Sequence, residues 1–409
     1  MTPHALFERD QPFLLPSDLK DWLPEDDIAH FIVAAVDWVR LSAFLTNPQA
    51  GGKPQYHPRL MLALLIYSYA HGVFSWRRIE RASYRDIGAR FIAANTHPDH
   101  DTIATFRRVD KAAFEAAFLR VLRLARASGL LRLGTVSIDG TKIAATASKI
   151  RSVRYDRAQA LREKLAAAWA RLEAAAKEEA EAEHPQYEAK KAAYDAKKGR
   201  CGRPPKPPDE TPPADRQSNL TDPASQPMRK SKAPEYRQAY NAQAVVCAEG
   251  SQLILATNVA TTPSDQPTFA ATILAMEDTV GLPKTVLADA GFASREAVAE
   301  LEARKIEPLV AIARTQPHRP YAFRPPPEPK SERRITEPWR LAMTAKLETE
   351  TGKARYKKRK QTVEPVFGII KSAMGFTRFH RRGLQKVAAE WRLVALAYNC
   401  RRLHRLRIA

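Results

Sequence analysis

The apolar period changes once along this chain, near Leu133. Before that point apolar residues recur with helical spacing. Leu60, Leu62, Leu64, Leu65 and Ile66 with Tyr67 and Tyr69 make a stretch apolar almost all round, which predicts a buried helix. Ser75 then precedes a helix carrying Trp76, Ile79 and Ile87 with Arg77, Arg78, Arg81 and Arg85 interleaved, Asp101 a third helix, and Lys111–Ser128 a fourth that stops at Gly129. After it, Leu133, Val136, Ile138 and Ile143 in LRLGTVSIDGTKIAA fall at strand positions. Two more strands are predicted at Arg237–Val246 and Gln252–Val259, around a turn at Glu249-Gly250. A helix over Phe269–Val280, a strand at Lys284–Ala288, a helix at Ser294–Arg304 capped by Ser294, and a strand at Glu307–Ile312 follow. Three strands and then alternating helices and strands predict a mixed α/β sheet behind an all-helical region.

That order is interrupted between the first and second strands. Asp156 to Lys198 is rich in Ala and mixed charge, which favours helix. GRCGRPPKPPDETPPADRQSN, which follows, is too proline-rich for helix or sheet. The expected organisation is a helical domain over 1–130, a sheet domain over 131–150 and 231–409, and an inserted excursion over 151–230. The arginine-bearing helices suit either a DNA reader of helix-turn-helix type or a packing domain with solvated arginines. The excursion suits either a surface insertion or a contact with DNA or a second subunit.

Charge narrows the function. The 409 residues hold 66 Lys+Arg against 45 Asp+Glu, a net +21, which points to a polyanionic partner. Residues 331–409 alone hold 20 Lys+Arg against 6 Asp+Glu, a balance of +14, so the excess is concentrated as on a phosphate-binding face. The longest apolar run is about half of what spans a bilayer, and no secretory signal is evident at the amino terminus. Cys201, Cys247 and Cys400 form no CxxC pair, so neither a disulfide framework nor a zinc knuckle is expected. A cytoplasmic, nucleoid-associated protein without membrane contact is expected.

Three acids stand out by context. Asp139 lies on a strand that otherwise reads as buried, Asp289 ends the strand TVLADAGF, and Glu364 sits in the most basic segment. Such carboxylates are costly unless paired, hydrogen-bonded or bound to metal. Phosphoryl transfer on DNA uses two divalent cations about 3.5–4 Å apart, and two or three carboxylates on rigid elements suffice for Mg²⁺.

The segments VSIDGTKIAA, TVLADAGFAS and YKKRKQTVEPVFGIIKSAMGFTRFHRRG resemble the three acidic motifs of bacterial insertion-sequence DDE transposases, in the group related to insertion sequence five and insertion sequence eleven-eighty-two. The resemblance extends to YHPRLMLALLIYSYAHGVFSWRRIERA, DHDTIATFRR and TDPASQPMRKSKAPEYRQAYNAQAVV. It implies a ribonuclease-H-like core with the Asp139 strand central and the Asp289 strand beside it. It also implies that Asp139, Asp289 and Glu364 are catalytic and hold two Mg²⁺ or Mn²⁺, and that Tyr356, Arg359 and Lys371 contact DNA phosphates. The Arg359-to-Glu364 gap is one residue longer than the commoner pattern. Lys371, seven residues beyond Glu364, is expected on the same helix face, and the helix is expected to begin or kink at Glu364 because Pro365 follows. The implied activity is cleavage at transposon ends and strand transfer into target double-stranded DNA, by a homodimer or higher oligomer. The alternatives are a nuclease on the same core without strand transfer and a non-catalytic DNA-binding repressor.

Overall fold

The strand that bears Asp139, β1 (Thr135–Ala144), lies at the centre of a six-stranded sheet in the computed structural model. The structure describes residues 18–44, 55–109, 111–160, 162–196, 204–229, 235–312 and 337–408, so Cys201 and part of the proline-rich segment lie outside the described residues. The other strands in chain order are β2 (Ser152–Arg154), β3 (Gln217–Asn219), β4 (Gln226–Met228), β5 (Arg237–Cys247), β6 (Ile254–Ala260), β7 (Thr285–Ala288) and β8 (Glu307–Val310). β5 runs antiparallel to β1, with β4 and β6 sharing its outer edge. β7 and β8 continue the sheet on the opposite side, both parallel to β1. β1 therefore has a partner on both edges and is buried from Val136 to Ile138. Three antiparallel strands followed by two parallel ones about a central first strand is the mixed sheet expected of a ribonuclease-H-like core, with the Asp289 strand beside the Asp139 strand.

Two short pairings were not expected. β4 falls inside the 151–230 excursion yet extends the main sheet, and β2 pairs with β3 as a separate ribbon at the root of the excursion. Gln217–Asn219 closes the segment expected to form neither helix nor sheet. Tertiary pairing overrides the local propensity of this proline-rich segment at its proline-free end, where Asn219 Nδ2 also donates to Ser148 O at 2.8 Å. The Ala-rich part is helical over Arg162–Asp195 with a kink at Leu165, and Ala168, Leu172, Ala176 and Ala180 are buried at intervals of four. Arg216 closes on Glu179 with both nitrogens at 2.6 Å and fastens the returning chain to that helix.

The helices expected before residue 130 form at Pro58–Ala70, Trp76–Arg85, His100–Val109 and Lys111–Ala127, but Ile87, expected on the second, opens a separate helix, Ile87–Ile92, because Asp86 caps it by accepting the Ala89 N–H. At the third, the cap is Asp99 rather than Asp101, because its carboxylate accepts the Asp101 and Thr102 N–H groups at 3.0 and 2.9 Å. The last helix, Leu384–Ile408, is largely buried. Its run from Leu393 to Cys400 is buried without a break, so it has no broad polar face. It packs against Pro58–Ala70 and Lys111–Ala127 on one side and against β6 on the other. The helical region and the sheet thereby share one hydrophobic core. Asn399 stitches the helix to β6, donating to Ile254 O at 2.8 Å and accepting from Ile254 N–H at 2.9 Å.

Helix Glu350–Gly368 passes straight through Pro365, so the expected start or kink at Glu364 is absent. The irregularity comes later, as a π turn over Ile369–Ala373. Proline at 365 leaves the Gln361 carbonyl without its intrahelical donor. The Gln252 side chain supplies one, its Nε2 lying 2.9 Å from Gln361 O. Gln252 holds a left-handed backbone (φ 56°) in the turn before β6, where Asn would also fit. Gln252→Ala is expected to cost about 1 kcal/mol in a urea melt, the scale of one lost hydrogen bond. An unchanged midpoint would show that solvent serves the carbonyl equally well.

Candidate active site

β1 and β7 are parallel, with Ser137 opposite Leu287. Two residues past that pair, Asp139 on β1 and Asp289 just beyond the end of β7 lie close enough for their charges to interact. Asp139 Oδ1 accepts the Gly140 N–H at 2.7 Å, and its Oδ2 faces Arg359 Nη1 at 3.4 Å. Burial, and then the facing Asp289 carboxylate, push the Asp139 carboxyl up to about 7, against the pull of the Gly140 N–H and the Arg359 charge. Asp289 follows β7 directly and caps the turn Ala290–Phe292, accepting the Gly291 N–H at 2.9 Å. Tyr356 donates its hydroxyl to Ala288 O at 3.1 Å, so it braces the backbone just before Asp289.

A fourth acid, Asp265, escaped sequence reading. It follows β6 in the turn SDQP, and its Oδ1 accepts from Asn241 Nδ2 at 2.6 Å and Gln243 Nε2 at 2.9 Å. Lys142 Nζ donates to Pro263 O at 2.8 Å and holds that turn against β1. Asp265 lies so close to β1 that a Cβ on Gly140 would fall 2.4 Å from its Oδ1. This accounts for the glycine in IDG. A turn-forming Asp after a strand gives no local hint of such an approach, and only the amides opposite it on β5 mark the place.

Glu364 and Arg359 come from helix Glu350–Gly368, which packs over β1. Arg359 is buried, with Nη1 toward Asp139 and Nη2 3.6 Å from Glu364 Oε1. Glu364 itself is half exposed, so the guanidinium stands between the first and third acids. Lys371, in the π turn, donates to Thr141 Oγ1 on β1, two residues beyond Asp139. The structure thus gathers all six predicted residues around the middle of β1 and the end of β7. Among the described residues, however, no three His, Cys, Asp or Glu side chains stand together as a ready-made metal cluster. Lys353, Lys357 and Lys360 line the exposed face of the helix leading to Glu364.

A raised Asp139 carboxyl has a consequence for stability. Between the ordinary carboxylate range and about pH 7, the folded protein keeps a proton that the unfolded chain has released. Stability therefore falls as pH rises through that window. In metal-free buffer, Asp139→Asn should melt higher than the parent at pH 8, by about 1–3 kcal/mol, with the difference vanishing toward pH 4. Parallel pH profiles for the two proteins would show that Asp139 ionises without penalty.

Two facing carboxylates on rigid strands beside a lysine-lined helix suit metal-assisted work on a phosphodiester, the province of nucleic-acid-cutting enzymes. Residues 208–400 match the family model described as a transposase DDE domain, and residues 17–109 match one described as a transposase domain (DUF772). Together these span about two thirds of the chain, which belongs to the insertion-sequence DDE transposases and is a DNA transposase. The family binds DNA and uses divalent metal ions. The DDE match contains Asp289 and Glu364 and begins after Asp139. No curated protein and no solved structure matches the chain significantly. No described helix is long and apolar enough to cross a membrane.

Proposed function

We propose that Asp139, Asp289 and Glu364 are the catalytic carboxylates of this transposase, and that they hold two Mg²⁺ or Mn²⁺ ions. The observation that carries the reading is the parallel pairing of β1 with β7, which brings the Asp139 and Asp289 carboxylates close enough for their charges to interact. The donor set fits the ions: hard oxygens on rigid elements, where burial and then the facing Asp289 charge oppose ionisation of Asp139. When bound, the ions activate the attacking oxygen and stabilise the leaving one. The chain's own part is placement. Tyr356 braces Asp289 through Ala288, Asp265 and Lys142 fix the adjoining turn, and Lys371 is held at β1 by Thr141. Lys357 and Lys360, exposed on the helix that carries Glu364, lie where the duplex backbone passes, with Tyr356, Arg359 and Lys371 nearest the cleaved phosphate.

The proposed reaction is hydrolysis at the transposon end followed by attack of the freed 3′-OH on target DNA in the same site. One site serves one strand at a time, so joining two ends calls for a dimer or higher oligomer on the DNA, at the nucleoid. The deciding assay incubates a precut end bearing a 3′-OH with supercoiled plasmid and Mg²⁺. Joined end–plasmid products support the reading, whereas nicking without joining would leave a nuclease.

A further inference from the structure

Arg359 stands where an ion would be needed. Its side chain is only one-tenth exposed, it reaches toward Asp139 with one nitrogen and Glu364 with the other, and its buried Nε has no hydrogen-bond partner among the described residues. Neither contact is tight. The gaps of 3.4 and 3.6 Å exceed the 2.7–2.9 Å of a well-made charge-assisted hydrogen bond. The same chain makes such a bond elsewhere, where Arg216 meets Glu179 at 2.6 Å through both nitrogens. Arg359 is thus spread between two carboxylates and matched to neither. A buried guanidinium held this way supplies positive charge to a crowded anionic site without completing a rigid ion pair.

We propose that Arg359 is the internal counter-cation of the ion-free site, and that it competes with the divalent ion for Asp139 and Glu364. A doubly charged ion and a buried guanidinium cannot share one carboxylate face without strong repulsion. Loading therefore requires Arg359 to give up both acids. A nearby DNA phosphate is a suitable acceptor for the released fork, since a guanidinium pairs with phosphate as it does with carboxylate. Ion binding and DNA binding then favour one another, and the free protein stays poorly loaded. The proposal rests on the reading that Asp139 holds the ion.

The test measures Mn²⁺ binding to the full chain without DNA at pH 8.5, following free Mn²⁺ by electron paramagnetic resonance. Arg359→Gln is expected to bind Mn²⁺ about tenfold more tightly than the parent, because the competing charge is gone. Arg359→Lys, which keeps the charge, should stay near the parent. Asp139→Asn should lose the binding. If Asp139→Asn binds like the parent, the assignment of the ion site fails. If it loses binding while a folded Arg359→Gln binds equally or more weakly than the parent, only the competition is overturned. Should Arg359→Gln fail to fold, the parent is titrated with a short duplex of terminal sequence, with the Asp139→Asn complex as background. Tighter Mn²⁺ binding on the duplex supports the exchange, and unchanged affinity overturns it.

Discussion

Asp139→Asn, Asp289→Asn and Glu364→Gln are each expected to cut Mg²⁺-dependent strand cleavage by about 10³-fold or more, the scale of losing one member of a set that acts as a unit. A neutral amide keeps the shape of each side chain and holds a hard cation far less well. The fold should survive in all three, for reasons specific to each position. Asn at 139 removes a charge that burial opposes. Asn at 289 still offers an oxygen to the Gly291 N–H and keeps the cap. Gln at 364 lies on a half-exposed surface, where substitutions cost little. DNA binding should persist or tighten, since Lys353, Lys357 and Lys360 remain and a repelling charge has gone. Any pair of these changes should be no worse than either alone. Melting temperature, end binding and cleavage measured on the same variants distinguish this from a structural role, in which stability would fall first and activity in proportion. Near-normal cleavage by one variant removes that residue from the site.

The largest effect on stability is expected at Glu390, far from the chemistry. Its carboxylate is fully buried in the last helix and draws donors from three segments. Oε2 accepts the His380 and Arg381 N–H groups at 2.9 and 3.1 Å, and Oε1 faces Arg107 Nη2 at 3.4 Å and the Tyr69 hydroxyl at 3.3 Å. Burial opposes the charge, but the His380 hydrogen bonds and Arg107 outweigh it and hold the carboxyl below its usual range. Arg107 is itself buried, donating to Tyr69 Oη at 2.6 Å and Phe74 O at 3.1 Å. Glu390→Ala leaves that guanidinium uncompensated and should cost about 3–5 kcal/mol in urea unfolding. A Glu390→Leu, Arg107→Met pair should recover much of the loss, because no unpaired charge is then left inside. A double variant as unstable as the single would place the energy in the backbone donors at His380 and Arg381 instead.

These two predictions draw on different kinds of information. Asp139, Asp289 and Glu364 were visible in the chain because each offends a local pattern: an acid inside an apolar strand, an acid at a strand end before glycine, an acid among lysines. The succession of strands and helices along the chain, the buried helix at Pro58–Ala70 and the helical stretch in the excursion were visible too, since period and propensity act over a few residues. Charge content gave no comparable view of individual arginines. Of the basic residues that suggested a phosphate-binding tail, Arg401 donates to Ala70 O, Arg402 to Ser251 O, Arg381 to Arg107 O and Arg382 to Thr146 O, all as internal ties. Lys357 and Lys360 remain exposed.

What the amino-acid order alone determined, then, is which segments become strand or helix and which acids sit at unusual places along them. Tertiary structure decided which charges face each other. Arg359 meets Asp139 across 220 positions, Arg107 meets Glu390 across 283, and Gln252 reaches the carbonyl that Pro365 orphans from more than a hundred residues away. A hydrophobic period records which face of an element is buried, and it is written in neighbouring residues. The partner of a buried charge is written nowhere near it, because only the closed core brings the two together and excludes the water that would otherwise serve both.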